Sequence, residues 1–416
     1  MFTKEPGPRA ALPAAFFIAG VLVLAGMFAR VASRPDFFQW DFDVYYYAAR
    51  GFLAGQNFYD LATLRTLMAA NHCTPVFKHL GFVYPPITIL WFVPFAMLGL
   101  AAAFGAYLAL KAVVVVAFVA LGRRLVTGRW TRAAFPLLTA LMLDGALWRD
   151  LSAGNVALFE AVWLLLAFSA LERARSGRFG AALAAATACK GTLAPLLAVP
   201  AFAGPRAFAR ALAGFAWLPL SALVFALLFP AVSRHYAEVS PGLAVTLLLA
   251  DRGRLNSSSF QFFAELSRLC VGEVRPALIA APIAVWDVYV AAATWRTLRR
   301  RELSAPMSAA LAVLAYVLLM PRMKDYTYVI AIVPCLWAIE RSALGRRARV
   351  ALLVYAMLPY DLILGLIPAV ANPFVPSFAR LPFDFSPLVV CAICWALLTR
   401  APRAAATDTR GDAGPP

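Results

Sequence analysis

Two carboxylates, Asp41 and Asp43, stand one residue apart in Gln39-Trp40-Asp41-Phe42-Asp43-Val44-Tyr45-Tyr46-Tyr47. Aromatic side chains suited to a membrane interface surround them. A carboxylate kept beside hydrocarbon loses hydration at a cost, so an acid placed there is a candidate for chemistry; the plainer reading is a solvated interfacial loop. Such a carboxylate can take the proton of an attacking hydroxyl. Complementary cations occur elsewhere. Lys190, in Ala188-Cys189-Lys190-Gly191-Thr192, sits within apolar sequence and must meet an anion or snorkel to the interface. Arg322 and Lys324 precede another apolar run, and Arg252 and Arg254 stand in Asp251-Arg252-Gly253-Arg254. Cations beside lipid suit a phosphate whose tail remains in the bilayer, or plain contact with anionic headgroups.

The elements that must position these groups are membrane helices. Of 416 residues, 62% are hydrophobic and 14% charged, and the mean hydropathy is +0.76; a soluble domain carries about 25% charged residues. The net charge of +17 falls in short clusters between apolar runs, which reflects membrane topology and not a nucleic-acid surface. Spans are expected near 12–31, 102–122, 133–148, 155–172, 211–230, 276–293, 304–320, 326–341, 349–369 and 385–400. The first of these reads as a retained anchor and not a cleaved signal peptide.

Two regions are set by the positive-inside rule. If residues 85–122 crossed twice, Arg123, Arg124, Arg129 and Arg132 would fall on the side of Asp41, so about 86–100 is expected to be a short juxtamembrane or half-inserted helix begun by Pro85-Pro86. Likewise 179–204 is expected to fold back near Lys190-Gly191 as two short helices. The result is an all-α polytopic membrane protein of about 12 membrane helices with both termini inside. Residues 1–400 form one domain, with long outer segments near 32–85 and 231–275 that carry juxtamembrane helices, and 401–416 form a disordered cytoplasmic tail. In this layout Asp41, Asp43, Lys78, His79, Tyr84, Asp150, Asn155, Lys190, Arg252, Arg254, Asn256, Arg322, Lys324 and Asp325 all reach the outer face. Arg149 and Asp150, beside Ser152-Ala153-Gly154-Asn155, also suit local helix capping. Cys391-x-x-Cys394 lies in an apolar run and reads as core packing; Cys73 and Cys270 both fall in outer segments, where a disulfide is possible.

Several pieces follow in order: Asp41-Phe42-Asp43-Val44-Tyr45-Tyr46 with Gly55-Gln56-Asn57-Phe58-Tyr59-Asp60, then Phe82-Val83-Tyr84-Pro85-Pro86, Gly154-Asn155, Ala188-Cys189-Lys190, Asn256-Ser257-Ser258, and Met320-Pro321 through Tyr326. Together they resemble glycosyltransferase family 87, polyprenol-phosphate-mannose-dependent enzymes of the C-type glycosyltransferase architecture. Arg322-Met323-Lys324-Asp325-Tyr326 departs from the Trp and His pair common in relatives. The resemblance implies transfer of a hexose, mannose first, from a polyprenyl-phosphate sugar to a hydroxyl of a glycolipid or glycan on the outer face. It implies inversion and a bacterial inner-membrane enzyme whose site is periplasmic. Asp41 is then the expected base, with Asp43 the alternative. Lys190, Arg322, Lys324, Arg252 and Arg254 are candidates for the donor phosphate, and Tyr45, His79, Tyr84, Asn155 and Asn256 for the sugar and acceptor pocket. No cofactor is expected; a divalent metal on the Asp-x-Asp pair is possible but not favoured. The competing reading is a transporter or flippase for a lipid-linked sugar.

Overall fold

The computed structural model describes residues 8–34, 39–69, 81–250, 256–358 and 378–400. His79, Arg252, Arg254, Cys73, the end of the expected 349–369 span and the tail 401–416 lie outside them. Among the described residues every regular element is helical. In chain order the α-helices are α1 (Pro8–Ala32), α2 (Trp40–Leu53), α3 (Leu61–Ala69), α4 (Val93–Ala96), α5 (Leu100–Leu125), α6 (Arg129–Ala153), α7 (Ala157–Glu172), α8 (Ser176–Lys190) and α9 (Pro205–Phe215). They continue as α10 (Trp217–Leu228), α11 (Pro230–Ala250), α12 (Ser259–Val271), α13 (Pro276–Arg299), α14 (Ala305–Leu319), α15 (Ile332–Arg341), α16 (Arg346–Met357), α17 (Leu381–Asp384) and α18 (Ser386–Thr399). Three 3-10 segments matter to the site: Pro86–Trp91, Ala194–Phe202 and Asp325–Ala331.

The protein is an all-helical membrane protein. Four stretches are long and apolar enough to cross alone: Leu12–Ala32, Leu100–Leu125, Pro205–Leu228 and Pro276–Arg299. The pair α6 and α7, bent by 120°, makes a fifth if taken together, and α14 and α18 are shorter apolar helices. Other expected crossings are divided: the 326–341 run splits into a 3-10 turn and the short α15. The expected 133–148 span is also interrupted. Met142 is extended and Leu143, Asp144 and Gly145 all have positive φ, so α6 changes direction just before the segment that carries Asp150.

The two folded-back elements form as expected. Residues 86–96 make a 3-10 turn and α4, opened by Pro85-Pro86, and α8 ends at Gly191, whose φ of 72° closes the helix before the chain returns through Ala194–Phe202. Glycine permits this left-handed residue without a Cβ penalty. The core falls in two parts. The larger gathers α6, α7, α14, α15 and α18; the smaller packs α2 and α3 against the Tyr84–Ala96 segment and the start of α5. In the smaller part aromatic rings stack closely: Phe42 on Tyr107 at 4.4 Å, Tyr45 against Phe92 at 4.4 Å and against Tyr84 at 5.0 Å. These contacts lock α2 beside the α6–α7 turn.

Candidate active site

The site is built on the turn Gly154-Asn155 between α6 and α7. Gly154 has φ of 70°, and a Cβ there would lie 2.6 Å from Gln39 Oε1 and 2.9 Å from Phe42 Cβ. Only a residue without a side chain lets α2 approach this closely. From the other side the backbone N–H of Gln39 donates to Ser152 O at 2.6 Å and its side-chain amide donates to Leu151 O. Tyr107 OH donates to Gly154 O at 3.0 Å. The beginning of α2 is thereby fastened to the turn.

Asn155 is fully buried and joins four segments. Its Oδ1 accepts from the backbone N–H of Ala157 and from Lys190 Nζ, each at 3.1 Å. Both partners are donors, which fixes the amide orientation and aims Nδ2 at acceptors. Nδ2 donates to Asp41 Oδ2 at 2.6 Å and shares its other contacts with the hydroxyls of Tyr45 and Tyr84 at 3.0 and 3.1 Å. The two hydroxyls are 2.5 Å apart. Burial pushes both phenols up, so they stay protonated. Asp41 and Tyr45, four residues apart, share one face of α2 and meet the same amide.

Asp41 Oδ1 has no hydrogen-bond donor among the described residues, while Oδ2 is held by Asn155. Burial raises the Asp41 carboxyl above its ordinary value; the charges of Lys324, Lys190 and Arg322 and the Asn155 hydrogen bond oppose that rise. All three cations therefore act on this one carboxylate. Lys190 also lies 3.6 Å from the buried Glu160 Oε2 and 5.2 Å from the centre of the Tyr326 ring. Glu160 Oε1 is buried with no hydrogen-bond partner among the described residues.

Asp43 is differently placed. Two residues along a helix is a rotation of about 200°, so the carboxylates of Asp41 and Asp43 leave α2 on different faces. That geometry does not favour joint chelation of one ion by the Asp-x-Asp pair. The described residues also contain no group of three or more His, Cys, Asp or Glu suited to a metal. Burial carries the Asp43 carboxyl from its ordinary 3.8 to about 7.

Of the expected pocket residues, Tyr45, Tyr84 and Asn155 do gather at Asp41, but as a buried hydrogen-bonded layer beneath it. Asn256 sits elsewhere, fully buried, with Oδ1 accepting from Met323 N–H at 2.9 Å. Ser257 N–H donates to Met323 O at 2.9 Å and Ser258 Oγ donates to Pro321 O at 2.7 Å. The Asn256-Ser257-Ser258 segment thus clamps the turn bearing Arg322 and Lys324. Asp325 meets Arg149 at 3.6 Å, which ties the same turn to α6.

Lys111 and Glu160, which the sequence reading did not single out, join Asp150 at the centre. Lys111 and Asp150, both fully buried, form an ion pair; Lys111 also donates to Asn155 O, and Asp150 Oδ1 accepts from Leu158 N–H at 3.2 Å. The pair braces the turn that orients Asn155, so Asp150 does more than cap a helix. Lys111 and Glu160 each stand alone in an apolar span, the signal that marks a functional residue in a membrane helix.

Fold and site define an all-helical membrane protein with a partly buried carboxylate on which the charges of three cations act. The chain belongs to glycosyltransferase family 87, whose model matches residues 82–321, more than half of its length. It is therefore an enzyme, a membrane glycosyltransferase. The matched stretch holds Tyr84, Lys111, Asp150, Asn155, Glu160 and Lys190, whereas Asp41 precedes it and Arg322 and Lys324 follow it. No curated protein and no solved structure matches the chain.

Proposed function

We propose that the enzyme transfers a hexose, with mannose the first sugar to test, from a polyprenyl-phosphate donor to a hydroxyl of a glycolipid or glycan acceptor. The site faces the periplasm from the bacterial inner membrane. The acceptor oxygen attacks the anomeric carbon and its proton passes to Asp41. The bond from that carbon to the phosphate oxygen breaks, and the polyprenyl phosphate leaves with the electron pair. Lys190, Arg322 and Lys324 stabilise the departing phosphate; it needs no proton to leave, so one carboxylate suffices and the single displacement inverts the centre. No metal is needed for this step. The observation that supports the reading is the Asp41 carboxylate, held by Asn155 through one oxygen, without a hydrogen-bond donor among the described residues at the other, and under the charges of Lys324, Lys190 and Arg322.

The test uses purified protein in lipid nanodiscs with synthetic polyprenyl-phosphate mannose and a panel of other polyprenyl-phosphate sugars, each offered with membrane glycolipid. Formation of a glycosidic bond of inverted configuration, with one polyprenyl phosphate released per bond, supports the reading. Movement of the donor across vesicles without bond formation would instead support the transporter reading, and no product from any lipid-phosphate sugar would overturn the donor class.

A further inference from the structure

A cavity of about 660 Å³ opens at the ends of α7 and α8 that lie farthest from Asn155 and Lys190. At 1.5 Å per residue these helices are about 22–24 Å long, so the cavity is remote from Asp41. Its walls are apolar, with Leu171, Val199, Phe202 and Leu303 among them, and Arg206, Arg210 and Arg301 stand at its rim.

The three arginines are exposed, and none of their side chains has a carboxylate or hydrogen-bond partner among the described residues. Arg206 and Arg210, four apart on α9, share a face. That helix is pressed onto α8, where a Cβ on Gly180 would collide with Ala211 O and one on Gly214 with Gly177 O. Arg301 is held with φ of 55° and Ala174, also on the cavity, with φ of 54°. Both residues stand just past the ends of α7 and α13, where a left-handed residue commonly closes a helix, so the cavity lies where these two helices terminate. Basic residues at the ends of spans are ordinary topology signals, but here they converge on a concave apolar surface.

We propose that this cavity binds an anionic glycerophospholipid, with the phosphate at Arg206, Arg210 and Arg301 and the first acyl carbons against the apolar wall. Guanidinium groups pair with phosphate through two parallel hydrogen bonds, and the volume lies in the range of ligand pockets. The proposal is independent of the donor assigned to the Asp41 site.

Native mass spectrometry of the full-length protein titrated with phosphatidylglycerol tests it. Arg206→Gln/Arg210→Gln/Arg301→Gln is expected to weaken the tightest lipid adduct about tenfold or more, whereas Arg346→Gln/Arg347→Gln, at the exposed start of α16, changes it by less than about twofold. Ala207→Phe, which fills the cavity without altering charge, is expected to weaken the adduct comparably, and it decides the matter if the triple variant does not fold. Phosphatidylcholine is expected to bind more weakly, and inorganic phosphate not to displace the lipid. Wild-type affinity in Ala207→Phe, equal loss in the α16 control, equal binding of phosphatidylcholine, or displacement by phosphate alone would each overturn the proposal.

Discussion

At the scale of single residues, the proposed mechanism turns on how the Asp41 carboxylate is kept basic. Burial raises the Asp41 carboxyl and Lys324 is the strongest of the charges opposing that rise. Activity that needs the carboxylate form falls as pH drops through the Asp41 pKa. Lys324→Gln removes a charge that lowers this pKa, so the acid limb of kcat/KM should move to higher pH whatever happens to its height. An unmoved or lowered limb would contradict the electrostatics. Asp43 has a stability signature instead. Its folded-state pKa of about 7 exceeds the ordinary 3.8, so the folded protein binds more protons between these values. Its contribution to stability is complete below about 4 and is lost as pH rises through about 7. The melting temperature of Asp43→Asn relative to wild type should therefore increase with pH across that window. The acids were legible in sequence as a pair, with Asp41 set first by resemblance alone; what the sequence hid is the partner, because Asp41 meets Asn155 across 114 residues of chain.

At the scale of elements, the α6–α7 turn is the device that assembles the site. The Lys111–Asp150 pair ties α5 to this turn, and both charges are buried. Removing one partner leaves the other uncompensated, which costs about 3–5 kcal/mol, whereas replacing both by apolar residues of similar size is often near neutral. Lys111→Met and Asp150→Leu should each lower thermal stability sharply, and the double variant should recover most of it. Additive losses would show that the pair does not act as a unit. Turn chemistry explains what was readable here. Lys190-Gly191 announced the end of α8, and Pro85-Pro86 the short helical element at 86–96. The break at Met142–Gly145 was hidden, because Leu143 and Asp144 adopt positive φ without a sequence pattern that requires it. The clamp of Asn256 on Met323 was equally hidden, since a buried asparagine reads like a pocket residue until its partner is known.

At the scale of the whole molecule, α7 and α8 separate two chemically different ends. Asp41, Asn155 and Lys190 lie at one, and Arg173, Arg206 and Arg301 cluster around the other. If the Asp41 end is periplasmic, Ser33→Cys and Gly345→Cys, each made in a Cys73→Ser/Cys270→Ser background, should react with an impermeant maleimide from opposite sides of the membrane. Labelling of both from one side would contradict the topology. Hydropathy and basic clusters revealed the all-helical membrane class, but not that the apolar runs at 133–148 and 326–341 are interrupted, at Met142–Gly145 and at the 3-10 turn Asp325–Ala331. The central claim is that Asp41, and not Asp43, accepts the proton. The measurement that tests it most directly is the rate of sugar transfer by purified Asp41→Asn and Asp43→Asn, with donor binding and folding verified for each. Asp41→Asn should lose about 10²–10⁴-fold in rate while still binding donor, and Asp43→Asn should keep most of its activity. The reverse pattern, or an active Asp41→Asn, would contradict the account.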